Sequence, residues 1–493
     1  MIKKVLTLRT SLLLAFAGTA LLTSCKKDPV VVNPSGTTPP TTATNGYVDN
    51  WILSNMRDYY YWTDKIPAKP DTTKAPSDFF YSLLYDYGNT ANPQRDRFSW
   101  IQESSAELKA LLSGESKTTG ADFRLINPSG TSNVYGIILY VLPGSPADKA
   151  GLKRGDAFYS VNGVTLTTDQ TVINKAFADE TVTQTYGIAT LQNGVYTNTT
   201  TTKSITPVVF QENPIFKDSV YTDGTRKIGY LMYNQFVPGP NNSNSTQYDD
   251  QVNAIFGKFK QQGVNEMVLD LRYNGGGSVA SSTQLASLLV KGLNGQAKVP
   301  YARTEWNALI TNEIKNNPKY GNDFFYNYFS VKANNIGDQL QRLYVLTTRG
   351  TASASELIIN GLRPFMTVNT IGATSYGKNV GSITITDDKN PKNQWGMQPI
   401  VFRSFNKNNE SDYWTGFTPT VAVNEFSYPL VPIGDTRDPL LAAAINHMKG
   451  LTTGGRLGSV GNVTALGSSL DRKAGGQNMF IDLKLQPNGK LLN

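Results

Sequence analysis

Nucleophilic chemistry in this chain has few residues to draw on, because it contains one cysteine, Cys25, and one histidine, His447. Serine is the next candidate. The stretch "RGTASASELIING", Arg349 to Gly361, carries Thr351, Ser353 and Ser355 directly behind the apolar run "RLYVLTTRG". A serine nucleophile needs a base and donors for the oxyanion. No histidine lies near, but a lysine desolvated in a pocket loses several pKa units and can act as a neutral base. Ser–Lys pairs are an established variant of the Ser–His arrangement. Lys378, in "YGKNVG", is the candidate.

Each piece has a plainer reading when taken alone. Ser353-x-x-Glu356 fits a capping box, and on that hexapeptide a helix N-cap explains the serine better. An isolated lysine is most often a solvated surface residue. The combination changes the balance. A helix starting after a buried strand gathers backbone N–H groups at one spot. "DLRYNGGG", Asp270 to Gly277, ends another strand in a flexible glycine turn whose N–H groups can complete an oxyanion hole. Lys378 follows a third strand. The carboxyl ends of neighbouring strands in an open α/β sheet form the usual site crevice.

The elements that must position these residues can be read from periodicity. Val48, Trp51, Ile52, Met56 and Tyr59 recur at helical spacing and predict a helix over Tyr47 to Asp64. A second helix is expected over Pro76 to Tyr87 and a short one over Ser104 to Ser113, making residues 47–113 a small helical domain. From about Arg226 the chain alternates buried strands with helices: "RKIGYLMYNQFV", a helix over Asp249 to Gln262, "VNEMVLDLRYNGGG", "SSTQLASLLV", "RLYVLTTRG", "SASELIINGLRPF", and finally "DPLLAAAINHM" ending near His447. That order predicts an α/β core over residues 226–447 with a partly parallel sheet. Residues 448–493 read as a Gly-rich C-terminal tail with one strand-like run, "MFIDLKL", and no evident chemistry.

Between helical region and core lies "GIILYVLPGSPADKAGLKRGDAFYSVNGVTL", Gly136 to Leu166. It reads as a strand, a Pro-Gly turn, a short helix with Ser145 as N-cap and Pro146 at its first position, Gly151 at C′, another strand, and an Asn162-Gly163 hairpin. This block resembles a PDZ domain, a small barrel-like β fold with helices, over residues 117–208. Such domains bind an extended peptide by strand addition and hold its terminal carboxylate in a backbone nest. The best match to the carboxylate loop is Gly120-Ala121-Asp122-Phe123, with Asp122 where the family often has Gly.

"DLRYNGGG", "TASASE" and "YGKNVG", in that order behind a PDZ-like block, resemble the carboxy-terminal processing peptidases, or tail-specific proteases, over residues 47–447. The resemblance implies a multidomain α/β serine endopeptidase that needs no cofactor and no metal. It implies Ser353 as nucleophile and Lys378 as general base, with the N–H groups of Ala354 and Gly277 as the oxyanion hole. Ser355, Thr351 and Glu356 become supporting residues, and His447 a helix residue without a catalytic role. Many members carry a Gln four residues after the lysine; here that position is Ser382, whose hydroxyl can accept from the lysine amine. The implied partners are protein or peptide substrates with free C-termini. Two other classes remain open: a catalytically silent, lipid-anchored PDZ peptide-binding protein, and a surface protein for carbohydrate uptake or binding that has no need of Ser353.

Composition narrows the rest. One cysteine excludes an intramolecular disulfide, and one Cys with one His leaves little for a zinc site. The net charge of +8 is spread along the chain with no Lys/Arg-rich run, so nucleic acid is not an expected partner. Lys3, Lys4 and Arg9 precede the apolar run Leu12 to Leu22, a secretory leader over residues 1–24 rather than a membrane span. It ends in Leu22-Thr23-Ser24-Cys25, which resembles a lipobox and implies lipidation at Cys25. Residues 25–46 read as a Pro/Thr-rich tether. The expected location is the cell envelope, on the outer membrane.

Overall fold

Val48, Ile52, Met56 and Tyr59, the periodic apolar positions of the first segment, form the buried face of a helix over Asn45–Tyr59. Thr44 caps it by accepting from Tyr47 N. This computed structural model describes residues 43–241, 244–317, 320–426, 430–451, 463–473 and 476–483. The leader, Cys25 and nearly all of the tether lie outside the described residues. Among the described residues no helix is long and apolar enough to cross a membrane.

The first helix stops before Asp64. Tyr60 turns to extended backbone and buries its hydroxyl, which donates to Asp96 and accepts from Tyr85 N. The same contact shortens the second helix to Pro76–Ser82, because the chain must leave helical geometry to bring Tyr85 to Tyr60. The third, Ser105–Leu112, starts at the Ser104 cap. The helical region has no separate core: Val48, Ile52, Phe79 and Phe80 lie in one apolar cluster with Leu231, Tyr301, Trp306 and Phe402 of the α/β core.

The PDZ-like block has a core of its own, including Phe123, Leu125, Ile138, Phe158, Val161 and Ile173. Its antiparallel strands are Ala121–Pro128, Tyr135–Val141, Ala157–Val161, Gln184–Gln192 and Val195–Ile205. Asn162 and Gly163 both take positive φ, 51° and 78°, as the hairpin reading requires. The outermost strand beside Ala121–Pro128 comes from the far end of the chain, Val463–Ser468, paired antiparallel.

The α/β core is a six-stranded sheet in the order Ile215–Asp223, Arg226–Tyr233, Glu266–Asp270, Leu343–Thr347, Val368–Gly372, Val421–Ala422. Its first pair is antiparallel and the others are parallel. The registers Asp270↔Leu346 and Thr347↔Gly372 bring the carboxyl ends of three strands to one edge. A second sheet stands at that edge, in the order Gly276–Ser278, Asn478–Phe480, Val380–Ser382, Ile400–Phe405, Pro300–Trp306, Tyr326–Tyr328. The tail therefore supplies a strand to each of two sheets.

The strand end at Asp270 is fixed by a buried ionic cluster. Arg272, fully buried, donates to both carboxylate oxygens of Asp270, to both of Asp438 and to Glu425. Arg154 of the PDZ-like block enters the same cluster, reaching Glu425, Asp438 and the Tyr273 hydroxyl. Removing one member of a buried ion network leaves its partners unpaired in a low-dielectric interior. Arg272→Met is expected to destabilise the fold by about 3–5 kcal/mol, read as a lower denaturant midpoint. A change under about 1 kcal/mol would show that the cluster is not buried as described.

Candidate active site

Ser353 stands between the strand Leu343–Thr347 and the helix Ala354–Leu362. It is fully buried with φ +64° and ψ −115°, a conformation a residue with a Cβ rarely adopts and one that costs about 1–3 kcal/mol. Neighbouring bonds enforce it. Thr351 Oγ1 donates to Leu271 O, Ala352 N to Asn274 O, and Ser355 Oγ to Asn274 O. Thr351 and Ser355, expected to support the nucleophile, thus pin its turn to the turn after Asp270. Ser353 begins the helix in a capping box: Glu356 accepts from Ser353 N at 2.9 Å, and Ser353 Oγ faces the Glu356 backbone N–H without making a full hydrogen bond. Ser353 thus keeps the N-cap place read from the sequence, and its buried oxygen is only loosely engaged.

Lys378 is also fully buried. Burial drives its pKa from 10.5 down to about 7; nearby Arg97 lowers it too, and Asp96 and Glu356 partly oppose the shift. Its Nζ lies 4.7 Å over the Phe98 ring and donates to Gln477 O at 2.6 Å. Arg97 holds the lysine loop from outside, donating to Gly377 O and Trp414 O. The lysine loop and the nucleophile turn are tied by one carboxylate. Glu356 Oε1 accepts from Ser375 Oγ and Gly377 N at 2.6 and 2.7 Å, and Oε2 from Lys378 N and Ser353 N at 2.7 and 2.9 Å. Burial outweighs these bonds and raises the Glu356 pKa overall, the bonds opposing it. Four donors and no acceptor meet its oxygens, a set that suits the anion.

The glycine turn packs directly on Ser353. A Cβ on Gly276 would lie 2.7 Å from Ser353 Cβ, 3.0 Å from Ala354 N and 2.1 Å from Asn478 O, so only glycine fits. Gly276 N is already engaged by Asn274 Oδ1 at 2.8 Å. Gly277, the glycine expected to serve the oxyanion, is the next residue in the same strand and pairs with Met479.

Ser382 departs from expectation. Its hydroxyl donates to Gln398 Oε1 at 2.6 Å and lies 3.3 Å from Met479 O, so it does not serve Lys378. The strand bearing Ser382 alternates sides, and its register directs this side chain toward the strand Gly396–Gln398. His447 sits on the helix Pro439–Met448 with its Nδ1 3.0 Å from the Tyr344 hydroxyl, apart from the site. In the PDZ-like loop, Gly120 has φ +84° and no room for a Cβ against Ser145. Ala121 begins the strand, Asp122 is buried against Lys473 and Ser469, and Phe123 N donates to Ser469 Oγ. The tail, read from sequence as devoid of chemistry, thus contacts both the loop and Lys378. A cleft of about 440 Å³ joins Asp122 and Phe123 to Gly275, Gly276 and Gln477.

Asp96, Arg97, Phe98, Gln398 and Gln477 were not singled out by sequence. The first three lie in "RDRFSWI", Arg95 to Ile101, and no spacing links that stretch to a lysine some 280 residues away.

Comparison with known proteins agrees with this arrangement. The profile of peptidase family S41 matches residues 227–423, that of the peptidase S41 N-terminal domain residues 47–100, and that of a PDZ domain residues 137–176. A carboxyl-terminal-processing protease of Picosynechococcus sp. is 26% identical over 278 residues, 56% of this chain and 58% of the relative. The chloroplastic C-terminal processing peptidase of Tetradesmus obliquus is 28% identical over 296 residues, 57% of this chain and 56% of the relative. The chain thus spans a little over half the length of these curated relatives. A crystal structure of a candidate S41 protease from Bacteroides fragilis is 29% identical with a TM-score of 0.65, covering 82% of this chain and 97% of that one. A buried Ser–Lys constellation at the strand ends of an α/β core, joined to a PDZ domain and matched by these profiles, makes the chain a member of peptidase family S41.

Proposed function

We propose that this protein is a serine endopeptidase that hydrolyses peptide bonds of protein substrates recognised through their C-terminal ends, with Ser353 as nucleophile and Lys378 as general base. One observation carries the reading: a fully buried Ser353 on a strained turn, its Oγ without a full hydrogen bond, tied through Glu356 to a buried lysine whose pKa lies near 7. A helix N-cap alone does not call for the rare backbone conformation that Ser353 holds.

In the reaction, neutral Lys378 leaves the Gln477 carbonyl and takes the proton of Ser353 Oγ as it attacks the substrate carbonyl. Negative charge develops on the carbonyl oxygen and is met by the N–H groups of Ala354 and Gly277. The protonated lysine then gives its proton to the leaving amine, which departs with the C-terminal product. Water, deprotonated by the same lysine, attacks the acyl-enzyme and releases Ser353. The PDZ domain, through Gly120, Ala121, Asp122 and Phe123, would present the substrate's free end to the cleft. The same reading anchors the protein to the outer membrane through lipidated Cys25, supported by the basic leader and the Leu22-Thr23-Ser24-Cys25 run.

A silent peptide-binding role is the second reading, and one observation favours it: Lys378 Nζ bonds the Gln477 carbonyl and not Ser353. Proteolysis of an unfolded protein with an apolar free C-terminus separates the two. Ser353→Ala and Lys378→Ala are each expected to lose at least about 10³-fold in kcat. The parent rate should rise as Lys378 loses its proton, about tenfold from pH 5 to 6 and levelling above pH 7. Cleavage that survives Ser353→Ala would mean the site is wrongly assigned, and intact substrate with all three proteins would leave the binding role.

Glu356→Gln keeps the size of the side chain but sets an amide N–H₂ among four donors. The expected result is a drop of about 10- to 100-fold in kcat. The pH midpoint should also move lower, since the Glu356 charge holds the Lys378 pKa up. A pH profile unchanged in position would show that Glu356 acts on fold alone.

A further inference from the structure

The tail strand Val463–Ser468 lies where a PDZ ligand adds. It runs antiparallel along the edge of Ala121–Pro128, from Val463 opposite Pro128 to Ser468 opposite Arg124, and so heads toward the loop at Gly120. There the tail is held by side chains. Ser468 Oγ donates to Phe123 O at 2.9 Å, and Ser469 Oγ accepts from Phe123 N at 2.9 Å, the kind of loop N–H a terminal carboxylate would use. Ser469 Oγ also donates to Asp122 Oδ1 at 2.7 Å, and Lys473 Nζ pairs with Asp122 Oδ2 at 2.6 Å.

The same tail then enters the peptidase cleft. Gln477 O takes the Lys378 amine at 2.6 Å, and Asn478 N donates to Gly275 O at 3.1 Å. Asn478–Phe480 lies between the strand of the glycine turn, Gly276–Ser278, and the strand after the base, Val380–Ser382. Asn478 O and Ser353 Cβ crowd the same point at Gly276. A substrate backbone brought to Ser353 has to use this slot.

We infer that residues 463–473 and 476–483 are a pseudosubstrate held in cis, which fills the PDZ edge and the Ser353–Lys378 cleft at once and must be displaced before a substrate enters. This rests on the peptidase reading above for the second site only. The order of the two segments explains why the tail blocks without being a productive ligand. A substrate whose end is held at the PDZ loop offers the cleft residues upstream of that end, whereas the tail offers residues downstream. It also holds the base: with Lys378 Nζ on Gln477 O, Ser353 Oγ has nothing to take its proton.

The test uses the full chain carrying Ala465→Pro with Lys473→Glu. Proline at the exposed Ala465 disrupts the edge pairing, and the glutamate sets like charge against Asp122. Lys473→Glu alone, on a side chain 41% exposed, serves if the double variant unfolds. Binding of a fluorescent peptide with the sequence of residues 463–473 is measured by anisotropy in a Ser353→Ala background, and cleavage of an unfolded protein is measured with Ser353 intact. Binding and cleavage are both expected to strengthen at least about tenfold in the variant, and added peptide should slow cleavage. Unchanged binding and cleavage in folded variants would overturn the inference. So would a loss of activity with unaltered thermal unfolding, which would make the tail a part of the working site. Stronger peptide binding with no cleavage by any protein would support tail occupancy of the PDZ edge while overturning the peptidase reading.

Discussion

The turn at Ser353 and the loop at Lys378 hang on one buried carboxylate. Glu356 accepts from the backbone N–H of Ser353 and of Lys378 through the same oxygen, Oε2, and from Ser375 and Gly377 through the other. Two turns that are 25 residues apart in sequence are thereby fixed to a common point. The arrangement also settles the electrostatics. Burial lowers the Lys378 pKa to about 7, with Asp96 and, less strongly, Glu356 opposing the shift and Arg97 adding to it.

That carboxylate can do this only because the strand ends beneath it are immobile. The parallel registers set three turns side by side, and the Arg272 cluster fixes the turn after Asp270 from below. Arg154 extends the cluster into the PDZ domain and touches Tyr273, three residues before Gly276. The PDZ domain and the glycine turn thus share one ionic core. From the other side, the tail bridges the PDZ edge and the lysine. The site is enclosed by two connections to the same domain, one of fixed charge and one of strand pairing.

Much of the site was legible in the chain. Ser353, Lys378 and the glycine turn each stand at the end of a buried apolar run, where periodicity and glycine mark a strand-to-loop junction, and strand ends gather at one sheet edge. Ser355 and Thr351 flank Ser353 and bond the turn after Asp270. Ser382 did not follow, because a residue's place four positions after the lysine says nothing of which side of the strand it faces once a register is chosen. The first two helices were drawn too long for a similar reason: helical periodicity continued past the point where Tyr60 and Tyr85 meet through a hydroxyl.

The sequence by itself determined which local turns carry Ser353, Lys378 and the glycines, since helix starts, glycine turns and hairpins depend on residues a few positions apart. Only the tertiary structure decided what surrounds them. Phe98 under the lysine, Gln398 on Ser382, and the Gln477 carbonyl on Lys378, 99 positions away, are contacts made by packing and strand register. The lysine's proton affinity follows from its burial among those distant residues, and no local pattern encodes burial of that kind.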